Sequence, residues 1–144
     1  MRNIKDIEVG EGTVISNQVN LYKCKIGKNC KIHSFVYIEE GVVIGDNCII
    51  KPFTYIPSGV KIGNRVFVGS HVAFTNDKYP QARGEEWKLL ETIIEDDVSI
   101  GSGSVILPVR IGKSVIVGAG TVVTKDVPNN VVIISNPAHI IKTR

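Results

Sequence analysis

The stretch IGKNCK-IHSFVY-IEEGVV-IGDNCI-IKPFTY-IPSGVK-IGNRVF-VGSHVA, residues 26–73, decides the fold. Ile or Val recurs every sixth residue, at positions 26, 32, 38, 44, 50, 56, 62 and 68. A period of six fits neither an amphipathic helix, with a period of about 3.6, nor a coiled coil, with a period of about 3.5. It is the period of hexapeptide β-helix repeats. The stretch therefore predicts an all-β solenoid in which three hexads close one triangular coil.

The fifth position of each hexad supports this prediction, because it holds only small or β-branched residues. These are Cys30, Val36, Val42, Cys48, Thr54, Val60, Val66 and Val72. We expect first-position residues to fill the axis of the coil and fifth-position residues to line the wall beside them. Cys30 and Cys48 are eighteen residues apart, so they should stack on adjacent coils. Three cysteines without a CxxC favour buried structural thiols over a zinc site or a disulfide framework.

The period breaks at FTNDKYP, residues 74–80. The hexads resume at Ile94, and the interval from Val68 to Ile94 is not a multiple of six, so we expect an extruded loop near residues 74–92. The last eighteen residues, 127–144, contain no hexads and predict a short non-repeat segment that folds back over the last coil. We expect one domain over residues 1–144.

The amino-acid composition disfavours several classes of function. The 144 residues are 43% hydrophobic and 22% charged, as in soluble globular proteins. The net charge of +3 comes without Lys/Arg runs, and 6% of residues are aromatic, which disfavours nucleic-acid binding. No apolar run approaches the roughly 20 residues of a membrane span, and MRNIKDIEVG lacks the apolar core of a signal peptide. We expect a cytoplasmic protein that does not bind membranes.

Several segments together resemble a known family. The hexads, FTNDKYP, IGSGSVILP (residues 100–108), IGKSVIVGAGTVVTKDVP (111–128) and NPAHIIK (136–142) are similar to the left-handed β-helix hexapeptide-repeat acyltransferases. Within that family they most resemble the branch that N-acetylates nucleotide-linked aminosugars, such as dTDP-3-amino-3,6-dideoxyhexoses, in bacterial glycan biosynthesis. The resemblance implies a left-handed parallel β-helix, acetyl-CoA as acyl donor, and a homotrimer with active sites between subunits. It implies no metal.

The resemblance also implies roles for residues at and near the break. His71 would accept or relay the amine proton, and Asn76 would orient the sugar amine or bind the thioester oxygen. Asp77 would hold a sugar hydroxyl or the ammonium, while Lys78 and Arg83 would contact the nucleotide diphosphate. The structural alternatives are a solvated or trimer-contact histidine, a plain Asn-Asp turn, and solvated loop charges.

The second block of hexads is where the family binds acetyl-CoA. The candidate cofactor-binding residues are Gly101, Ser102, Gly118, Ala119, Lys125 and Lys142. Small residues would let the pantetheine arm approach the backbone, and an N–H at Gly101 or Ala119 would serve as oxyanion donor. The lysines would meet the nucleotide phosphates. The alternative for the glycines is that they only form coil corners.

Three alternatives remain open. An O-acetyltransferase of the same fold would need a strong base for its hydroxyl acceptor, and His71 could serve. An amine needs less help from a protein base, because it is partly neutral near pH 7–8 and the leaving thiol has a pKa of about 8.5.

A γ-type carbonic anhydrase would need three histidines on adjacent coils, whereas His33, His71 and His139 are far apart in sequence. A non-enzymatic solenoid is the third alternative.

Overall fold

The computed structural model describes residues 2–82 and 87–144. Its strands are short because each hexad supplies one strand and one turn. In chain order they are β1 (Asn3–Lys5), β2 (Glu8–Val9), β3 (Val14–Ile15), β4 (Asn20–Tyr22), β5 (Lys25–Ile26), β6 (Lys31–Ile32), β7 (Tyr37–Ile38), β8 (Val43–Ile44), β9 (Ile49–Ile50), β10 (Tyr55–Ile56), β11 (Val60–Ile62), β12 (Phe67–Val68), β13 (Ala73–Phe74), β14 (Thr92–Ile94), β15 (Ser99–Ile100), β16 (Val105–Ile106), β17 (Arg110–Ile111), β18 (Ile116–Val117), β19 (Val122–Val123), β20 (Val131–Ile134) and β21 (His139–Thr143).

The strands form three sheets, one on each face of a triangular prism. The first sheet has the order β1-β4-β7-β10-β13-β16-β19, and the second has the order β17-β14-β11-β8-β5-β2. The third runs β21-β20-β18-β15-β12-β9-β6-β3. From β1 to β19, every third strand in sequence falls on the same face, and all pairings are parallel except that of β20 with β21. This confirms the predicted fold class, a left-handed parallel β-helix.

The core is the axis of the prism. First-position residues point inward and stack on their counterparts one coil away, as Ile38 does with Ile56 and Ile44 with Ile62. The first-position residues from Ile26 to Val68 and all eight predicted fifth-position residues are buried. Each such Ile or Val contributes roughly 2 kcal/mol of transfer free energy. The predicted division into axis and wall positions is confirmed.

Phe74 corrects the predicted boundary of the loop. We expected the break to begin there, but Phe74 ends β13, is fully buried and pairs with Ile106 of the next coil. It stands six residues after Val68, so it continues the period with a phenyl ring in place of Ile or Val. The extruded loop is residues 75–91. Across it, the paired corner residues Asn64 and Asp96 are 32 positions apart, against 18 for Lys28 and Asp46.

The second-position glycines serve a ladder of Asx side chains at the corner between the second and third sheets. The Asp46 N–H donates to Asn64 Oδ1 at 2.8 Å, and the Asn64 N–H donates to Asp96 Oδ1 at 2.8 Å. A Cβ on Gly45 would lie 2.6 Å from the Gly63 carbonyl oxygen. Glycine is required at these steps because the next coil's backbone and Asx side chain occupy the space.

The cysteines are buried and free, as predicted. The Cys30 and Cys48 thiols each donate to a glycine carbonyl of the following coil, Gly45 O and Gly63 O, both at 3.1 Å. The Cys48 N–H donates to Cys30 Sγ at 3.4 Å, which confirms that the two side chains stack. Thr54 makes the same bond to Gly69 O at 3.1 Å. Fifth-position thiols and hydroxyls thus satisfy corner carbonyls.

We expect the three thiols to be inert in the folded protein. The hydrogen bond between the two stacked thiols lowers the pKa of Cys30 to about 6 and raises that of Cys48, while burial raises the pKa of Cys24 to about 11. Because all three side chains are at most 1% exposed, Ellman's reagent cannot reach them and at pH 8 should not react with the native protein. All three thiols should react in denaturant. A fast-reacting native thiol would contradict the structural role.

The C-terminal segment closes the third sheet. β20 continues that sheet in parallel with β18, with Ile133 on Val117. The chain then turns at Ser135–Ala138, and β21 returns antiparallel to β20. The non-repeat segment therefore folds back as expected, with β21 along the edge of β20 and its five residues exposed.

Candidate functional site

The predicted site residues lie mainly at two corners of the prism. The third-to-first corner, where the chain passes from the third sheet to the first, comprises residues 33–35, 51–53, 69–71, 101–103 and 118–120 in successive coils. The first-to-second corner comprises residues 39–41, 57–59, the extruded loop, 107–109 and 124–126. The first sheet separates the two corners.

His71 lies at the third-to-first corner and is exposed. Its backbone is left-handed, with φ of 58°, and its ring stacks on Phe53 with centroids 4.8 Å apart and planes 20° apart. Phe53 in turn stacks on Phe35, at 4.9 Å and 6°. Neither imidazole nitrogen hydrogen-bonds to any residue in the described parts of the chain.

Four of the six candidate cofactor residues lie at the same corner, in the next two coils. Gly101 and Ser102 belong to the coil that follows His71, and Gly118 and Ala119 to the one after. The Ser70 hydroxyl donates to Ser102 Oγ at 3.3 Å. A Cβ on Gly101 would lie 2.5 Å from the Ala119 nitrogen, so this glycine is needed for packing as well.

The two proposed oxyanion donors differ. The Gly101 N–H donates to the Val117 carbonyl at 2.8 Å, so it is part of the sheet ladder and is not free. Our expectation for Gly101 as donor is therefore wrong. The Ala119 N–H has no acceptor among residues 2–82 and 87–144, and Ala119 is exposed. Of the two, only Ala119 has an amide that a ligand oxygen can use without breaking the coil.

Asn76 is the second residue of the extruded loop, at the first-to-second corner, and is half-buried. Its Nδ2 donates to the Ser58 carbonyl at 3.1 Å. Glu39 holds that corner, since its Oε1 accepts from the Tyr55 hydroxyl at 2.8 Å and from the Ser58 N–H at 3.3 Å. The amide of Asn76 is therefore oriented by a fixed carbonyl, which leaves its Oδ1 as an available acceptor.

A hydrogen bond that the sequence did not predict joins two residues from opposite sides of the extruded loop. The Trp87 indole N–H donates to Asp77 Oδ1, although half of the Trp87 side chain is exposed. Lys78 is exposed and its ammonium lies 5.6 Å from the centroid of the Tyr79 ring. Arg83, our other candidate for the diphosphate, lies outside the described residues.

Within one chain, several candidates are not brought together. His71 and Asn76 stand at opposite ends of β13, at different corners. Lys125 is exposed at the first-to-second corner, away from the glycines, and Lys142 is exposed on the edge strand β21. The candidate residues for the acyl donor and for the acceptor therefore share no single pocket of one chain.

A cavity of about 460 Å³ opens beside the corner that holds Asn76. Ser58 and Glu39 line it, and so do the rings of Tyr22 and Tyr37. The remaining lining residues are Asn3, Lys5, Asn20, Leu21 and Glu40. Sequence analysis missed this cavity because its residues come from four successive coils, at or next to β1, β4, β7 and β10, which are separated in sequence but adjacent on the first sheet. Its volume falls in the range typical of small-molecule sites.

No group of three or more His, Cys, Asp or Glu side chains is arranged to hold a metal ion in residues 2–82 and 87–144. Nothing helical in the same ranges has the length and apolarity that a bilayer crossing requires.

Two relatives share part of the sequence. The galactoside O-acetyltransferase of Lactococcus lactis is 39% identical over an 87-residue alignment that covers 52% of this chain and 42% of that enzyme. The 2,3,4,5-tetrahydropyridine-2,6-dicarboxylate N-acetyltransferase of Staphylococcus aureus is 57% identical over 51 residues, covering 35% of this chain and 21% of that enzyme. The chain thus spans less than half the length of either relative.

Two solved structures share the fold over nearly the whole chain. A variant of AntD, an N-acyltransferase from Bacillus cereus in complex with dTDP and coenzyme A, matches with a TM-score of 0.80 at 26% identity. The match covers 95% of this chain and 84% of AntD. PerB from Caulobacter crescentus, in complex with CoA and GDP-perosamine, matches with a TM-score of 0.70 at 25% identity, covering 94% of this chain and 58% of PerB.

Two repeat families match on either side of the extruded loop. The family of bacterial transferase hexapeptides (six repeats) matches residues 23–57 and 41–76. The hexapeptide repeat of succinyl-transferase matches residues 91–125. Together these segments cover more than half of the chain, and they are the same hexads that build the prism. By its repeats and its prism, this chain belongs to the hexapeptide-repeat acyltransferase family.

Proposed function

We propose that the protein is an acetyl-CoA-dependent N-acetyltransferase that acts on the amino group of a nucleotide-linked amino-deoxysugar. The observation that carries this proposal is the composition of the third-to-first corner. There His71 is followed, in the next two coils, by the small residues 101–103 and 118–120 and by the free N–H of Ala119. AntD and PerB support it, because both share the prism and were solved with coenzyme A and a nucleotide or nucleotide sugar. The acyl donor would lie along Gly101, Ser102, Gly118 and Ala119.

The proposed chemistry is direct attack of the amine on the thioester. The amine nitrogen bonds to the carbonyl carbon, the C–S bond breaks, and the sulfur leaves as thiolate. The amine loses one proton, which reaches the thiolate either directly or through His71, so the products are the amide and free CoA thiol. The Ala119 N–H would stabilise the tetrahedral oxyanion. Asn76 Oδ1 would accept a hydrogen bond from the amine and orient its lone pair.

We further propose a homotrimer with the site between subunits. The candidates occupy two corners that one chain keeps apart, and a corner of a second chain facing the first would bring them together. Lys125 and Lys142 would then reach the phosphates of the acyl donor, and Lys78 and Arg83 those of the nucleotide sugar, with Asp77 on the sugar. Light scattering should give three times the chain mass of 15.7 kDa. A monomer that is active would overturn the shared site.

The direct test follows thiol release from acetyl-CoA with a panel of 3-amino and 4-amino nucleotide sugars. Rapid release with one of them, together with a product heavier by one acetyl group, would support the proposal. The same nucleotide sugars bearing a hydroxyl in place of the amine are the matched controls and should release no thiol. No release by a folded protein with any amine would refute it.

An O-acetyltransferase is the second candidate. The 39% identity to the galactoside O-acetyltransferase of Lactococcus lactis supports it. A hydroxyl is a much weaker acid and nucleophile than a neutral amine, so this reaction would depend on His71 as base. Galactosides and other alcohols therefore belong in the acceptor panel. Turnover of an alcohol without turnover of any amine would establish that the protein is an O-acetyltransferase.

Blocking the third-to-first corner should weaken acetyl-CoA binding. In Ala119→Phe, a phenyl ring would stand on the exposed corner where the pantetheine arm is proposed to lie. We expect the KM for acetyl-CoA to rise at least about tenfold, a loss of about 1.4 kcal/mol, in steady-state assays. Asn17→Phe is the matched control, because Asn17 is exposed at the same hexad position of this corner near the other end of the prism. Equal effects of the two changes would contradict the placement.

A further inference from the structure

The third-to-first corner changes character at His71. In the two preceding coils, the fourth hexad positions hold the rings of Phe35 and Phe53, with left-handed φ of 63° and 64°. In the two following coils, the equivalent positions are Gly103 and Gly120, with φ of 72° and 69°. A Cβ added to either glycine would meet no heavy atom within 4 Å outside its own chain neighbours. His71 is therefore the last ring of an aromatic stack, and its outer face looks onto two bare steps of the corner.

The stack fixes the plane of the imidazole. Coil spacing places the side chains about 4.8 Å apart along the prism, and the centroids of Phe53 and His71 are 4.8 Å apart. The two planes differ by 20°, so the rings overlap face to face with their edges outward. Both imidazole nitrogens lie at the edge of the ring, which leaves them free for a proton while one face is covered.

A histidine that works as a general base is ordinarily oriented by a third group, commonly a carboxylate on its other nitrogen. His71 has no such partner in the described residues, and no ion pair reaches it. The contact that restrains its ring is the stack on Phe53. Phe53 is half exposed, so it contributes little to the core and is not needed there.

We propose that Phe53 is the positioning residue of His71, holding the imidazole by stacking where other histidine bases are held by a carboxylate. This inference rests on the proposed function, with His71 as the group that relays the amine proton. Phe53 touches neither substrate, and Phe35 supports Phe53 from behind. The bare steps at Gly103 and Gly120 leave the opposite face open to the reacting groups.

The kinetic test compares Phe53→Leu with the wild-type protein. Loss of the ring should lower kcat about tenfold to a hundredfold, because small misplacements of a catalytic group have effects of that size. The KM values for both substrates should stay within about twofold. Phe53→Tyr should restore kcat to near the wild-type value, since it keeps the ring. Phe35→Leu, one step further from His71, should change kcat by no more than about twofold.

A double-mutant cycle separates positioning from a general structural effect. If Phe53 acts through His71, Phe53→Leu should have no further effect on kcat in a His71→Ala background. An equal loss in both backgrounds would overturn the proposal, and so would an unchanged kcat in Phe53→Leu alone.

An NMR measurement keeps the inference testable without activity. With 13C-labelled histidine, the His71 ring protons should lose their ring-current shift in Phe53→Leu and keep it in Phe53→Tyr. The signals of His33 and His139 should not move, because neither ring stacks on Phe53. Unchanged His71 signals in Phe53→Leu would refute the positioning role. If the wild-type protein acetylates no acceptor, the proposed function fails, while this comparison still decides whether Phe53 holds the ring.

Discussion

Replacing Phe74 with alanine is expected to lower the free energy of unfolding by about 3–5 kcal/mol. The side chain is fully buried in the axis of the prism and pairs with Ile106 of the next coil. Truncation leaves a cavity at the step where the chain leaves the prism for the extruded loop. The regular coils on either side cannot close it without giving up their register. Urea unfolding followed by circular dichroism measures the change.

Tyr79→Ala is the matched control for this prediction, because Tyr79 lies five residues further along, in the loop, and is 77% exposed. It should change the free energy of unfolding by less than about 0.5 kcal/mol. Similar small effects for both variants would mean that Phe74 belongs to the loop, as the sequence had suggested. A large effect of Tyr79→Ala alone would mean that the loop is packed in an assembly.

Phe74 also shows where the hexad pattern stops being informative. Ile and Val at the first position were easy to recognise because they are the commonest inward residues. Phenylalanine fills the same axis position, but the Asn-Asp pair at positions 76 and 77 suggested a turn, so the period appeared to end one step early. The axis, the wall and the three sheets follow from a period of six alone.

The corners were harder to predict than the coils. Glycines at the second position suggested tight turns, but the reason for them is the Asx ladder, in which Asn64 Oδ1 accepts from the Asp46 N–H of the preceding coil. That bond joins residues eighteen apart, and a pattern of single residues does not show which atoms meet. The bonds from Cys30 and Cys48 to glycine carbonyls were hidden for the same reason.

The candidate site was predictable in part. The hexad register places His71 and the glycine-rich segments after β12, β15 and β18, and they share one corner because these strands are neighbours in the third sheet. It could not show that Gly101 uses its N–H in the ladder while Ala119 does not. Nor could it show the bond from Trp87 to Asp77 across ten residues of loop, because loop conformation does not follow the period. These features depend on three-dimensional neighbours.

Asn76→Ala should lower kcat/KM for the amine acceptor about 10²–10³-fold, which corresponds to about 2.7–4 kcal/mol of transition-state stabilisation. The amide is held by its bond to the Ser58 carbonyl, and Glu39 fixes that corner through Tyr55 and Ser58. Oδ1 is therefore preorganised to accept a hydrogen bond from the attacking amine. Because the interaction tightens as the nitrogen becomes positive, its loss should appear mainly in kcat rather than in KM.

Asn76→Asp tests whether the orientation of the side chain matters as well as its oxygen. Aspartate keeps an acceptor but places a negative charge against the Ser58 carbonyl, which no longer receives an N–H. The oxygen should then move, and kcat should fall about tenfold to a hundredfold. Thermal unfolding of both variants checks that the prism is intact, since Asn76 lies outside the core. If Asn76→Ala retains kcat within about threefold while remaining folded, Asn76 is a turn residue only. The acceptor must then be oriented elsewhere, and the cavity lined by Tyr22, Tyr37 and Glu39 would be the next place to search.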